Sequence, residues 1–337
     1  MMNKKKLSCL NLKNNFWLLS SILIMWILFS FNTWNPDMEN YKIIYQLYEY
    51  GLNYNSNNLE IGFKYIFKLC SYFNFSYQQV LMLIATIGLV TILLSSKKYS
   101  DKQYIITILF LIFPFFHQVT IIRNFVSLCI FFYAFQFLYK KETKKYIICI
   151  IVASLFHISA LIYLLYLLSY FDSKSLKKLL IILTVFFLSI VYIPAVKTFV
   201  EMIIPKVATY LNDGSMLITK IVLIGYYIGL IILSKMLIKK NLNEDKIDMC
   251  QTSHKCLQIN ILFILLSFLS MNFFRLIENS IILLYIIIAN CSFVRNKKLS
   301  INSIYVFAFI CIQAFIFEVY YSWDTVVWAI INNNSLW

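Results

Sequence analysis

Residues 140–178 read KKETKKYIICIIVASLFHISALIYLLYLLSYFDSKSLKK. The central 26 residues, 146–171, contain no Asp, Glu, Lys or Arg, and lysines flank them on both sides. Lysine-rich flanks favour the cytoplasmic side of a membrane, so both ends of this run are expected on that side. The run therefore predicts a re-entrant hairpin. The bend is expected near His157, because its flanks of 11 and 14 residues each reach about half a bilayer at 1.5 Å per residue.

The composition of the whole chain is that of a membrane protein. Of its 337 residues, 61% are hydrophobic and 13% charged, whereas soluble proteins carry roughly 25% charged residues. Disordered, collagen-like and disulfide-scaffold classes are excluded, and so is a water-soluble enzyme. Ten uncharged apolar segments are suited to a hydrocarbon core of ~30 Å as helices. They comprise residues 14–36, 73–96, 103–122, 124–139, 146–171, 179–196, 221–234, 256–274, 279–294 and 299–317.

The distribution of the 30 Lys and Arg residues selects the topology. Ten simple crossings from a cytoplasmic N-terminus divide them 15 inside and 15 outside, which gives no bias. With residues 146–171 re-entrant, the division becomes 22 inside and 8 outside. The sequence therefore predicts an all-α polytopic membrane protein of about nine transmembrane helices plus one re-entrant hairpin, N-terminus in and C-terminus out. The first segment lacks a small-residue cleavage site and is expected to stay as a signal anchor.

One membrane-embedded bundle is expected over residues 1–337, with no separate soluble domain. Two polar segments, 32–72 and 197–220, are predicted on the external side, which is therefore the expected side of the functional site. In the first of them, aromatic and apolar residues recur at helical spacing and predict two short amphipathic pieces in the membrane interface. These residues are Tyr41, Tyr45 and Tyr48 in one piece and Phe63, Phe67 and Cys70 in the other.

Motifs for metal or nucleotide chemistry are not found in the sequence. The three histidines share no metal-ligand spacing, and the eight cysteines are scattered. No metal, no cofactor and no disulfide framework is therefore expected. The net charge of +15 is explained by the bilayer and does not indicate a nucleic-acid partner.

A few ionisable residues lie in or beside the apolar segments, where charge is costly and often functional. Arg123 is either an interfacial arginine that reaches lipid head groups or a bidentate phosphate ligand. Arg275 has the same two interpretations, and Glu278 at i+3 offers it a neutralising partner. His157 is either a packed core histidine or a proton acceptor in a cavity. Asp37 and Glu60 are either solvated loop acids or members of the site.

The order of these residues resembles the EpsG family of exopolysaccharide polymerases, which is similar in role to Wzy. The most specific element is FHISAL, residues 156–161, after the basic loop KKETKKY. The family usually has Arg-Gln where this chain has Arg123-Asn124. The other elements are Asp37 with Asn40-Tyr41 and Tyr45, LEIGF at 59–63, Ile122-Arg123-Asn124 before an apolar helix, and Arg275 before another.

The resemblance implies a GT-C-like bundle and a membrane glycosyltransferase of the bacterial cytoplasmic membrane. Its expected reaction joins oligosaccharide repeat units on polyprenyl diphosphate, as donor and acceptor, into an exopolysaccharide, capsule or O-antigen at the outer face. A chain-length regulator is a further possible partner. No metal is needed, because arginines can replace its electrostatic role. The implied site residues are His157, Asp37 and Glu60 for catalysis, Arg123 and Arg275 for the diphosphate, and Asn124, Tyr41 and Ser159 for the substrate.

Two other functions stay open at this point. A transporter of a solute or of a lipid-linked glycan also uses helices broken near mid-membrane. Against it, the sequence has no inverted repeat, and its apolar segments lack the acids of proton coupling. A glycan transferase like an O-antigen ligase shares the same donor, and only the family resemblance separates it from a polymerase.

Overall fold

The computed structural model describes residues 2–51, 59–193, 198, 202, 217–241, 246–267, 273–291 and 301–336. Within these ranges every regular element is a helix, which confirms the all-α class. The chain divides into two compact units, Met1–Leu164 with Phe307–Trp337 and Leu165–Val306. Each unit is described by itself, and the single bundle over residues 1–337 stays a prediction.

The helices follow one another with short connections. From the N-terminus to the hairpin they are α1 (Met2–Ser30), α2 (Met38–Glu49), α3 (Ile61–Tyr72), α4 (Tyr77–Tyr99), α5 (Gln103–Ile112), α6 (Phe115–Thr120), α7 (Ile122–Tyr139), α8 (Thr143–Ser154) and the 3₁₀-helix η1 (Ile158–Tyr170). The later ones are α9 (Ser173–Tyr192), α10 (Leu217–Asn241), α11 (Ile247–Ile259), α12 (Ile261–Ser267), α13 (Phe274–Cys291), α14 (Ile301–Ala314), the π-helical segments Phe315–Tyr320 and Trp323–Val327, and α15 (Trp328–Asn332).

Several described helices are long and apolar enough to cross a membrane. They are Tyr77–Tyr99, Ile122–Tyr139, Ile221–Ile238 and Phe274–Cys291. A fifth span results if Ile304–Tyr320 and Trp323–Asn332, which meet at a bend of 72°, are counted as one. The described helices thus support a polytopic protein of four or five spans. The count of nine and the orientation of the termini stay predictions.

One predicted apolar segment is not a continuous helix. Residues 103–122 form α5 and α6, with a break at Phe113 and Pro114. Proline has no N–H for the helical hydrogen-bond ladder, which explains why the helix stops there. Residues 256–274 are broken in the same way at Asn260, between α11 and α12.

The predicted external segment 32–72 contains two short helices, α2 and α3. Tyr41 and Tyr45 are buried on α2, and Phe63 and Phe67 are buried on α3, as their spacing predicts. The Tyr45 hydroxyl donates to the Phe75 carbonyl at 2.6 Å and so fixes α2 against the residues that follow α3. The other predicted external segment, 197–220, lies outside the described residues apart from 198, 202 and the first turn of α10.

Helix α8 and the first part of η1 form a hairpin whose break lies at residues 155–157, where the sequence predicts it. The Tyr146 hydroxyl donates to the Tyr163 carbonyl at 2.7 Å, which joins the two arms. The Tyr163 ring stacks on Phe131 of α7, with centroids 4.4 Å apart. The chain therefore runs up along α7 to His157 and returns along it.

The 3₁₀ form of η1 agrees with its burial pattern. In a 3₁₀-helix residues three apart lie directly above one another. The buried residues of η1 recur at this interval, at Ala160, Tyr163, Tyr166 and Ser169. A row of this kind packs as one straight ridge, and it begins three residues after His157.

Helices α4 and α7 approach closely at Gly88. A Cβ atom at position 88 would overlap the ring of Phe125 and lie 3.2 Å from Sγ of Cys129. Glycine permits this approach because it has no side chain. Since Phe125 lies two residues after Arg123, the contact fixes the first turn of α7 and with it the position of that arginine.

Candidate functional site

The start of helix α3 lies against the tip of the hairpin. The Gly62 N–H donates a hydrogen bond to the Leu155 carbonyl at 2.8 Å. A Cβ atom at position 62 would stand 2.7 Å from that oxygen and 2.9 Å from the Phe156 ring, which is too close for either contact. Glycine is therefore needed for this approach. The approach brings Glu60, just before α3, beside His157 at the hairpin tip.

The carboxylate of Glu60 contacts two candidate residues at once. Its Oε2 accepts a hydrogen bond from Nη1 of Arg123 at 2.6 Å, and its Oε1 lies 3.2 Å from Nδ1 of His157. The side chains of Glu60, Arg123 and His157 are 15%, 25% and 16% exposed. All three are thus largely shielded, yet each keeps some exposed surface for a ligand. Together with Tyr41 they are called the Glu60 cluster below.

Glu60 is ionised at neutral pH. Burial raises the pKa of its carboxyl, but the hydrogen bond from His157 and the charge and hydrogen bond of Arg123 outweigh burial and lower the pKa to about 2. A carboxylate that accepts hydrogen bonds and faces a guanidinium favours its charged form. Glu60 is therefore an acceptor in this cluster and not a proton donor.

The ionised state of Glu60 determines the arrangement of protons on His157. A carboxylate can only accept, so the ring nitrogen that faces it, Nδ1, carries the proton. In the neutral ring the other nitrogen, Nε2, then holds a lone pair. This carboxylate–imidazole arrangement is the one that orients a general base in many enzymes. His157 in this tautomer is suited to accept a proton at Nε2.

Tyr41 holds Arg123 from a second direction. Nε of Arg123 donates to the Tyr41 hydroxyl oxygen at 3.1 Å, and the guanidinium carbon lies 5.6 Å from the centre of the Tyr41 ring. Burial raises the pKa of Tyr41, and the positive charge of Arg123 offsets only part of that effect, so the phenol stays neutral. The guanidinium is thus fixed by two different partners through two different nitrogens.

Two other predicted site residues lie near the cluster but have different contacts. Asp37 precedes α2, and its negative charge contributes to the raised pKa of Tyr41. In the described part of the chain its carboxylate makes no hydrogen bond to the Glu60 cluster. Asn124 is buried, and its Nδ2 donates to Oε1 of Gln118 at 3.1 Å, which ties α7 to α6. A role for either in the site stays a prediction.

The remaining predicted residues are Ser159 and Arg275. Ser159 is half-buried on η1, two residues after His157. Arg275 is the second residue of α13 and belongs to the second unit. Glu278, its predicted partner, is buried, and no ion pair joins the two side chains in the described structure. The diphosphate role of Arg275 stays a prediction.

Sequence reasoning treats Glu60 and His157 as alternative bases, whereas the structure pairs them. It also gives Gly62 no role, although a glycine in the first turn of an otherwise apolar helix is a signal for close approach, because glycine destabilises helices. Metal binding finds no support among the described residues, since no three His, Cys, Asp or Glu side chains group together there.

Comparison with known proteins gives one match. The model of the EpsG family matches residues 15–328, which is most of the chain and includes every member of the Glu60 cluster. No curated protein matches the chain. No solved structure matches it either, so the GT-C-like bundle stays a prediction.

Proposed function

This chain belongs to the EpsG family, and we propose that it polymerises oligosaccharide repeat units carried on polyprenyl diphosphate at the outer face of a bacterial cytoplasmic membrane. Family membership supports a polysaccharide polymerase in general terms. The lipid-linked donor and acceptor, the external location and the roles of individual residues belong to the proposal.

The observation that carries the proposal is the contact between Glu60 and His157. Glycosyl transfer requires that the acceptor hydroxyl lose its proton as its oxygen attacks the anomeric carbon. Nε2 of His157 accepts that proton, and the neighbouring Glu60 carboxylate, 3.2 Å from Nδ1, stabilises the imidazolium that forms. The new glycosidic C–O bond forms as the bond from the anomeric carbon to the diphosphate oxygen breaks.

The electron pair of the broken bond leaves with the polyprenyl diphosphate. Glu60 and Arg123 cancel in charge, so the cluster is neutral before transfer and carries one positive charge after His157 is protonated. This change in charge matches the negative charge that develops on the leaving diphosphate. The exposed quarter of Arg123 is the part available to the phosphate oxygens. A single displacement of this kind inverts the anomeric centre.

Reconstitution with a defined substrate tests the proposal. Purified protein in liposomes, supplied with a lipid-linked repeat unit, is expected to yield a ladder of longer chains still attached to polyprenyl diphosphate. A single transfer onto a different lipid or protein would instead identify a ligase. Movement of unchanged lipid-linked glycan across the liposome membrane, without a ladder, would identify a transporter.

A further inference from the structure

The second unit contains a groove of about 430 Å³ between helices α9, α10, α11 and α12. Its wall is apolar along most of its length, with Ile181 and Val185 from α9 and Ile231 from α10. Its polar members include Lys177, near the start of α9, and Gln258. The groove therefore combines a cationic end with an apolar trough, which is the complement of an anionic amphiphile.

The groove is as long as one leaflet of a bilayer allows. Lys177 and Val185 are eight residues apart on α9, which is about 12 Å at 1.5 Å per residue. The hydrocarbon core is ~30 Å thick, so one leaflet supplies roughly 15 Å. The lysine bias of the sequence predicts that the Lys177 end is cytoplasmic.

A chain of hydrogen bonds supports the polar wall of the groove. Nε2 of Gln258 lies 3.1 Å from Nε2 of His254, and Nδ1 of His254 lies 2.7 Å from Oγ of Ser234. Burial and the charges of Lys235 and Lys177 lower the pKa of His254 to about 4, so its ring is neutral at pH 7. The hydrogen bonds give Gln258 a fixed position at the wall.

The charge around this polar wall is positive. The charges that act on His254 in the described structure are those of Lys235 and Lys177. Neither lysine forms an ion pair with an acid among the described residues. Asp172, which begins α9, accepts hydrogen bonds from the N–H groups of Lys174 and Ser175 and so caps the helix. The two lysines thus keep their charge for an external anion.

We propose that this groove binds an anionic phospholipid, with the head-group phosphate at Lys177 and one acyl chain along Ile181, Val185 and Ile231. Basic sites between transmembrane helices on the cytoplasmic side commonly hold such head groups. The groove favours a phospholipid over a polyprenyl phosphate, because a trough of about 12 Å fits a chain confined to one leaflet. The inference is independent of the proposed function.

Native mass spectrometry of the purified full-length protein tests this site. The protein is titrated with phosphatidylglycerol or with phosphatidylcholine of the same acyl chains. Lys177→Gln is expected to weaken phosphatidylglycerol binding about fivefold, the effect of about 1 kcal/mol per lysine, and to leave phosphatidylcholine unchanged. Lys178→Gln is the matched control, because it removes the same charge from the next residue of α9, which does not line the groove.

A second variant tests the apolar part. Thr184 lines the groove, and Thr184→Trp is expected to fill it and to reduce the binding of both lipids. Equal effects of Lys177→Gln and Lys178→Gln would indicate diffuse attraction and overturn the site. Unchanged binding to Thr184→Trp would remove the acyl chain from the groove. Displacement of phosphatidylglycerol by a lower concentration of polyprenyl monophosphate would overturn the choice of lipid.

Discussion

Oε1 of Glu60 lies 3.2 Å from Nδ1 of His157, although the two residues are 97 positions apart in the sequence. The contact joins the start of α3 to the tip of a hairpin. It turns an acid and a histidine that each have an ordinary structural explanation into a pair with defined protonation. The account of this protein as a polymerase depends on that pair.

The low pKa of Glu60 predicts a pH-dependent contribution to stability. An ordinary pKa of 4.5 lowered to about 2 corresponds to about 3 kcal/mol, present above pH 5 and lost as the pH falls toward 2. Glu60→Gln should therefore lower the free energy of unfolding at pH 7 and differ from wild type by roughly half as much at pH 3. Unfolding of the detergent-solubilised protein measures this. Glu39→Gln, at an exposed position of α2, should show no such trend, and a difference that is constant with pH would contradict the assignment.

Arg123→Lys should lose nearly as much activity as Arg123→Ala. The arginine uses Nη1 for Glu60 and Nε for Tyr41, and a single ammonium group cannot reproduce that fork. The length of polymer and the amount of membrane protein are measured in the same strains. Full-length polymer in the lysine variant would show that only the charge matters and would reduce Arg123 to an interfacial anchor.

Gly62→Ala should impair activity although residue 62 has no reactive group. The added methyl would meet the Leu155 oxygen at 2.7 Å, so the hairpin tip must move away from Glu60. Gly225→Ala is a matched control, since a Cβ at that position of α10 meets nothing within 4 Å. Equal activity of the two variants, at equal abundance, would show that the close approach at Gly62 does not position the cluster.

The hairpin also predicts which positions are accessible from outside the cell. In a cysteine-free background, a cysteine at Glu39 or Glu49 should react with a membrane-impermeant thiol reagent. Cysteines at Lys141 and Lys177, on the two flanks of the hairpin, should both be protected until the membrane is opened. Reaction at Lys177 with protection at Lys141 would mean that residues 146–171 cross the membrane once.

The helical class and the break at His157 are predictable because they depend on local composition and on lysines at both ends of one run. The pairing of Glu60 with His157 is not, since it depends on how α3 packs against a distant hairpin. Two features had a sequence signal that was not used: Gly62 in a helix start, and the interval of three that links His157, Ala160 and Tyr163. The break of residues 103–122 at Pro114 follows from the missing N–H of proline.

The most direct test of the central claim is the chain length of the lipid-linked product made by His157→Gln, measured together with the abundance of the protein. Loss of a general base lowers a rate by about 10²- to 10⁴-fold, so the account predicts normal abundance, accumulation of the single lipid-linked repeat unit and no ladder. His117→Gln, a histidine bonded to Ser322 outside the cluster, should keep the ladder. A normal ladder from His157→Gln at normal abundance would contradict the account.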